Sequence, residues 1–287
     1  MADAIFISPH LDDAALSCGG GIARLVHSGA SVGVVTVFTA DPPLGAPLSA
    51  LARRSHASWG LGDQPFSARR AEDLAALKLL GAEPEHLGLP DAIYRRSPAG
   101  DPLYADPLAA PTPDDAERFL PRLVAALRDS SLAASQDACV FCPAGTGGHV
   151  DHVLVRRAIE QVVGTDEVVT YEEYPYSARR GVPTATPDDT EPWPLQPLPL
   201  TAEELDARIA AIACYASQLR GLFPSGAERL REIASARIPV VGGWLVRPPD
   251  VRASSERMAD RLRRDMAAMG GERYRWSPRR VSPFPPA

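Results

Sequence analysis

At 287 residues, with 45% hydrophobic and 23% charged content, the chain has enough apolar material to bury a full core and lacks the composition of a disordered or fibrous protein. Its formal net charge of -6 excludes a polyanion such as nucleic acid as the main partner, because phosphate binding calls for a basic face. No apolar run approaches the roughly 18–20 residues of a membrane span, and no basic-then-apolar leader opens the chain, so a cytoplasmic location is expected.

In chain order, residues 4–8 form a short apolar run stopped by Pro9 and read as a buried strand. A polar turn, Pro9-His10-Leu11-Asp12-Asp13, leads into a helix over 14–27 with Leu16, Ile22, Leu25 and Val26 at helical spacing. Its Gly19, Gly20 and Gly21 fit close packing on a sheet and are mis-spaced for a dinucleotide loop. The β-branched run 31–39 is a second strand, so the chain opens as a strand–helix–strand unit, the mark of a parallel sheet.

Residues 67–80 read as an amphipathic helix closed by Gly81, with Arg69 near its start, and 86–89 as a short strand ending at Pro90-Asp91. Thr112, followed by Pro113 and two acids, caps a helix over 112–128. The strand over 138–142 sends Cys139 and Cys142 to opposite faces, which suits buried structural thiols better than a CxxC site. Gly148-His149-Val150-Asp151-His152 then opens a helix over 151–163, and 168–171 is a further strand. Tyr171-Glu172-Glu173-Tyr174-Pro175-Tyr176 ends that strand and is placed to line the rim, but a plain polar strand terminus would look the same, so none of it is assigned to the site. A capping box at Thr201 and Glu204 starts a helix over 201–219, with further helices expected near 226–236 and 254–269. Loops are expected at 41–47, 96–111 and 177–199, the last two long and Pro-rich, with a loosely packed tail after 276. The pattern describes a single α/β domain over 1–287, with a mostly parallel, Rossmann-like sheet flanked by helices and a site at the carboxyl ends of its strands.

Both polar turns follow strands and so fall on that rim. Together they hold His10, Asp12, Asp13, His149, Asp151 and His152. Three protein ligands plus water is the arrangement of a catalytic zinc, whose bound water ionises near neutral pH. Two His and one Asp as ligands leave an acid beside the water as base and a spare imidazole for the product side. Helix capping explains one acid in each turn but gives no reason for the histidines.

Ser8-Pro9-His10-Leu11-Asp12-Asp13 with Cys18-Gly19-Gly20, followed by Gly147-Gly148-His149-Val150-Asp151-His152, resembles the PIG-L / LmbE-like family of metal-dependent N-acetylglucosamine deacetylases. The resemblance implies zinc, with Fe(II) suited to the same ligands, held by His10, Asp13 and His152. It makes Asp12 the general base, gives His149 the oxyanion or the leaving amine, and has Asp151 fix the tautomer of His149. By the same carry-over Arg69 contacts substrate and Asp91 binds sugar hydroxyls. The implied partner is a small N-acetylated amino sugar, without nucleic acid or a membrane span, and Ala- and Leu-rich helix faces leave room for a homo-oligomer. Leu11 stands where the family commonly has Pro, and Ala14 where Glu usually follows the two Asp. Two other readings compete: a non-haem iron oxygenase built on the same two-His-one-carboxylate set, and a carbohydrate-binding relative without turnover.

Overall fold

The computed structural model describes residues 2–43, 45–62, 64–135, 137–179, 193–223, 251–277 and 282–286. Strands β1 (Ala4–Ser8), β2 (Val32–Thr36), β3 (Glu83–His86), β4 (Cys139–Pro143), β5 (Val168–Tyr171), β6 (Gln196–Leu198) and β7 (Glu272–Arg275) form one sheet in the order β3-β2-β1-β4-β5-β7-β6. The first five run parallel, and β7 and β6 add an antiparallel end. Both edge strands carry a proline, Pro84 and Pro197, where a missing amide costs the ladder least. The strand order reverses between β1 and β4, which places the ligand crevice beyond their carboxyl ends.

Ten helices are described: α1 (Asp13–His27), α2 (Ala50–Trp59), α3 (Pro65–Leu80), α4 (Pro113–Arg118), α5 (Leu120–Arg128), α6 (Ser131–Ala134), α7 (Val150–Val162), α8 (Ala202–Ala213), α9 (Ala216–Leu222) and α10 (Val251–Met269). Alternation along β1 divides the core between the sheet faces. Ala4 and Phe6 join the cluster with α1, α3, α8 and α10, whereas Ile5 and Ile7 join the one with α5 and α7. Cys139 and Cys142 fall on these opposite sides, and none of the four cysteines is in a disulfide. No described helix is long and apolar enough to cross a membrane.

The glycine triplet of α1 packs against α8 and β7. A Cβ on Gly19 would lie 2.8 Å from Arg208 Cγ, and one on Gly21 2.6 Å from the Tyr274 hydroxyl. Glu272 accepts from the Gly20 and Gly21 amides and pairs with Arg208, so this contact is polar as well as close.

Several elements differ from the sequence expectation. The strand expected over 31–39 is the shorter Val32–Thr36, in register with β1, which ends at Ser8. The one expected over 86–89 lies at Glu83–His86, because pairing with β2, and not the apolar Leu87 and Leu89, sets an edge strand. The helix over 112–128 breaks at Phe119 into α4 and α5, since Pro121 supplies no amide to continue it. The helix over 201–219 breaks at Tyr215 into α8 and α9. Helix α2 was not anticipated, although Ser49 caps it and Gly60 (φ 68) closes it. Strand β6 lies within the loop expected at 177–199. The tail after 276 is anchored where Phe284, 5% exposed, packs on Phe141 and Tyr274. The helix expected near 226–236 lies outside the described residues.

Candidate active site

The turn after β1 is tied down by Ser8, whose hydroxyl donates to the His10 carbonyl at 2.7 Å and accepts from the Ala14 amide at 3.1 Å. Asp12 stands at the N-cap of α1, yet its side chain makes no capping hydrogen bond. Its φ of 155° is a conformation that L-residues avoid, held by the surrounding turn. The carboxylate lines the cavity beyond the sheet, with the Arg69 guanidinium 3.9 Å away. Burial, reinforced by the charge of Asp13, raises the Asp12 pKa to about 7.

The turn after β4 is held from β5: Glu173 accepts from the Gly145 and Thr146 amides at 2.8 and 3.0 Å. His149 caps α7 by accepting the Asp151 amide on Nδ1 at 3.2 Å, which leaves its Nε2 as the protonated nitrogen of a neutral ring. Burial and the neighbouring His10 and His152 push the His149 pKa down, in keeping with that neutral state.

His10, Asp13 and His152 converge. His10 Nδ1 lies 3.1 Å and His152 Nε2 3.2 Å from Asp13 Oδ2, and the two nitrogens are 3.3 Å apart. The far nitrogen of each ring is already engaged: His10 Nε2 with Asp151 Oδ2 at 3.0 Å, and His152 Nδ1 with Glu173 Oε1 at 3.0 Å. Two imidazole lone pairs and a carboxylate oxygen therefore face one another, an arrangement stable only around positive charge. Donors bound to one tetrahedral zinc at its usual bond lengths stand roughly 3.3 Å apart, so this set fits such an ion. The same demand appears in the titration of the groups. Burial lowers the His10 and His152 pKa values, but their acidic partners outweigh it and raise both, His152 to about 9. Asp13 is held low, its burial outweighed by the two imidazoles.

A second cluster, His10, His149 and Asp151, also lies within ligating reach. Its atoms are committed elsewhere. Asp151 Oδ1 accepts from Arg95 Nη1 at 2.5 Å, and Oδ2 from the Ala92 amide and from His10. Asp151 was expected to orient His149 through its carboxylate; it does so through its backbone amide, while the carboxylate orients His10.

The cavity, about 160 Å³, gathers His10, Asp12, Asp13, His149 and His152 with Arg69 and Asp91. Arg69 is buried, its guanidinium 4.5 Å from the Trp59 ring centroid, and its Nε has no hydrogen-bond partner among the described residues. Asp91 caps the short turn at Ala92–Tyr94 through Oδ1 and keeps Oδ2 3.6 Å from His10 Nε2; burial raises its pKa.

Sequence reasoning assigned no role to three residues here. Glu173 braces the second turn and His152 together. Arg95 bridges Asp151 and Asp115 amid the rings of Phe38, Tyr104 and Phe119, and Tyr176 lines the cavity. The run of acids and tyrosines after β5 was a signal for two of them, whereas nothing local marked Arg95.

The family model described as PIG-L, GlcNAc-PI de-N-acetylase, matches residues 5–163. The chain is 33% identical over 239 residues to a 2'-N-acetylparomamine deacetylase of Niallia circulans, covering 78% of this chain and 83% of that protein. A protein of the same name from Streptomyces fradiae is 35% identical over 180 residues, 61% of this chain and 58% of its own. Among solved structures, the zinc-inhibited form of a teicoplanin deacetylase matches with a TM-score of 0.71 at 26% identity, covering 95% of this chain and 96% of that one.

Proposed function

The chain belongs to the PIG-L de-N-acetylase family, and from that premise we propose that it is a metal-dependent hydrolase which removes the acetyl group from an N-acetylated amino sugar. The observation that carries this reading is the convergence of His10 Nδ1, His152 Nε2 and Asp13 Oδ2 within 3.1–3.3 Å, the far nitrogen of each imidazole already bonded to an acid. These three residues would hold the ion. Bound there, a divalent cation such as zinc supplies a water of lowered pKa, toward ~7, and polarises the amide carbonyl. Fe(II) suits the same donor types, and metal analysis of the purified protein distinguishes the two.

Asp12 takes the proton of the attacking water, a task suited to a carboxylate that caps nothing and faces the cavity. The water oxygen bonds to the amide carbon as the carbonyl opens to a tetrahedral oxyanion. His149, its Nδ1 fixed as acceptor, offers Nε2–H to that oxyanion. Asp12 returns its proton to the nitrogen as the C–N bond breaks, leaving acetate and a free amine. Arg69 and Asp91 bind hydroxyls of the sugar from the cavity wall.

The relatives are named for deacetylating 2'-N-acetylparomamine and teicoplanin, which supports an amino-sugar substrate. The oxygenase reading keeps the ligand set but has no support in a parallel sheet whose relatives are deacetylases. The binding-only reading leaves the uncapped Asp12 without purpose. The test is release of acetate from 2'-N-acetylparomamine and a panel of N-acetylglucosaminides. Release should stop on chelation and return with added zinc; turnover indifferent to chelator, or none with any compound, overturns the proposal.

A further inference from the structure

We propose that the Tyr176 hydroxyl is a catalytic hydrogen-bond donor of this site, meeting the acetamido oxygen as the carbonyl becomes tetrahedral. The inference rests on the deacetylase reading above. The chain has seven tyrosines, of which six are buried and Tyr176 is half-buried. The six buried ones each have a hydroxyl partner in the protein, from Tyr171 on the Ile7 carbonyl to Tyr174 on Asp265 and Tyr274 on Glu272. The Tyr176 hydroxyl makes no hydrogen bond to any described residue, and its side chain lines the cavity shared by His10, Asp12, Asp13 and His149.

The ring is held in place at its base. A Cβ on Gly147 (φ 88°) would lie 2.7 Å from Tyr176 Cγ and Cδ1, so the turn after β4 leaves a slot that this ring fills. Its edge meets His152, with ring centroids 6.3 Å apart and planes at 86°. A ring fixed at its base, lining the cavity of the histidine–aspartate cluster with its hydroxyl unpartnered among the described residues, is a preorganised donor awaiting an acceptor. Tyr176 donates a hydrogen bond without transferring a proton, alongside His149, and the balance of the hydrolysis is unchanged.

Tyr176→Phe removes the hydroxyl and keeps the ring in its slot. With 2'-N-acetylparomamine as substrate, kcat should fall on the order of 10²-fold, as for loss of one oxyanion donor, with KM within about twofold. Metal bound per chain should be unchanged. Affinity for a methylphosphonamidate analogue of the tetrahedral state should fall by the same factor, while that for the free amine product stays constant. Unchanged kcat, or a rise in KM alone, overturns the role of Tyr176 and leaves the deacetylase reading intact. A wild-type protein that binds metal yet releases no acetate overturns that reading and the role of Tyr176 with it.

Discussion

Asp12 and Glu173 show how neighbouring acids come to different work. Asp12 points into the cavity from a strained backbone and caps nothing, whereas Glu173 is fully buried under two amides and an imidazole. Asp12→Asn should lower kcat by roughly 10²–10⁴-fold while metal content stays at the wild-type level, measured as turnover against metal per chain. Near wild-type turnover would remove Asp12 from the role of base. Glu173→Gln should act on the ion instead. Losing the carboxylate that orients His152 weakens metal affinity by roughly 10–100-fold, read by competition with a chromogenic chelator. An unchanged affinity would make Glu173 a brace of the turn alone. His10, Asp13 and His152 were legible because polar residues directly after apolar runs are unusual core material. Arg95 was not, because its contact with Asp151 spans 56 positions and only folding creates it.

At the scale of elements, local signals succeeded where the chain punctuates itself and failed where a partner decides. The Thr201 capping box, the Gly81 closure and the Thr112 cap all form as their residues dictate. Strands β6 and β7 escaped notice because Gln196–Leu198 contains a proline and Glu272–Arg275 is largely polar; β7 becomes a strand by pairing with β5 and β6, and β6 by pairing with β7. Gly271, at the entry to β7, sits at φ 120°, and a Cβ there would overlap the Leu198 carbonyl oxygen. Gly271→Ala should therefore cost about 4 kcal/mol, at the severe end for a point substitution, measured as a shift in denaturant midpoint. A loss under about 1 kcal/mol would show that the β6–β7 pairing is not as close as described.

Over the whole molecule, the site is where the sheet reverses its strand order. The cavity crowds Asp12, Asp13 and Asp91 together with His10 and His152, an arrangement that positive charge relieves. Because the unfolded chain lacks the convergent set, metal should stabilise the native state by about 2.7 kcal/mol at a free concentration one hundred times Kd. Thermal melting with zinc and with chelator checks this, and identical Tm values would contradict a single ion held by residues from two distant turns.

The sequence by itself determined the strand–helix alternation, hence the parallel sheet, and the two polar turns, since hydrophobic period and capping chemistry are written over a few neighbouring residues. Only the tertiary structure decided which nitrogen of each histidine faces inward, that Asp151 serves His10 and Glu173 serves His152, and that one tyrosine hydroxyl meets no partner among the described residues. Those facts depend on hydrogen-bond partners brought together from remote segments, and no local pattern records them.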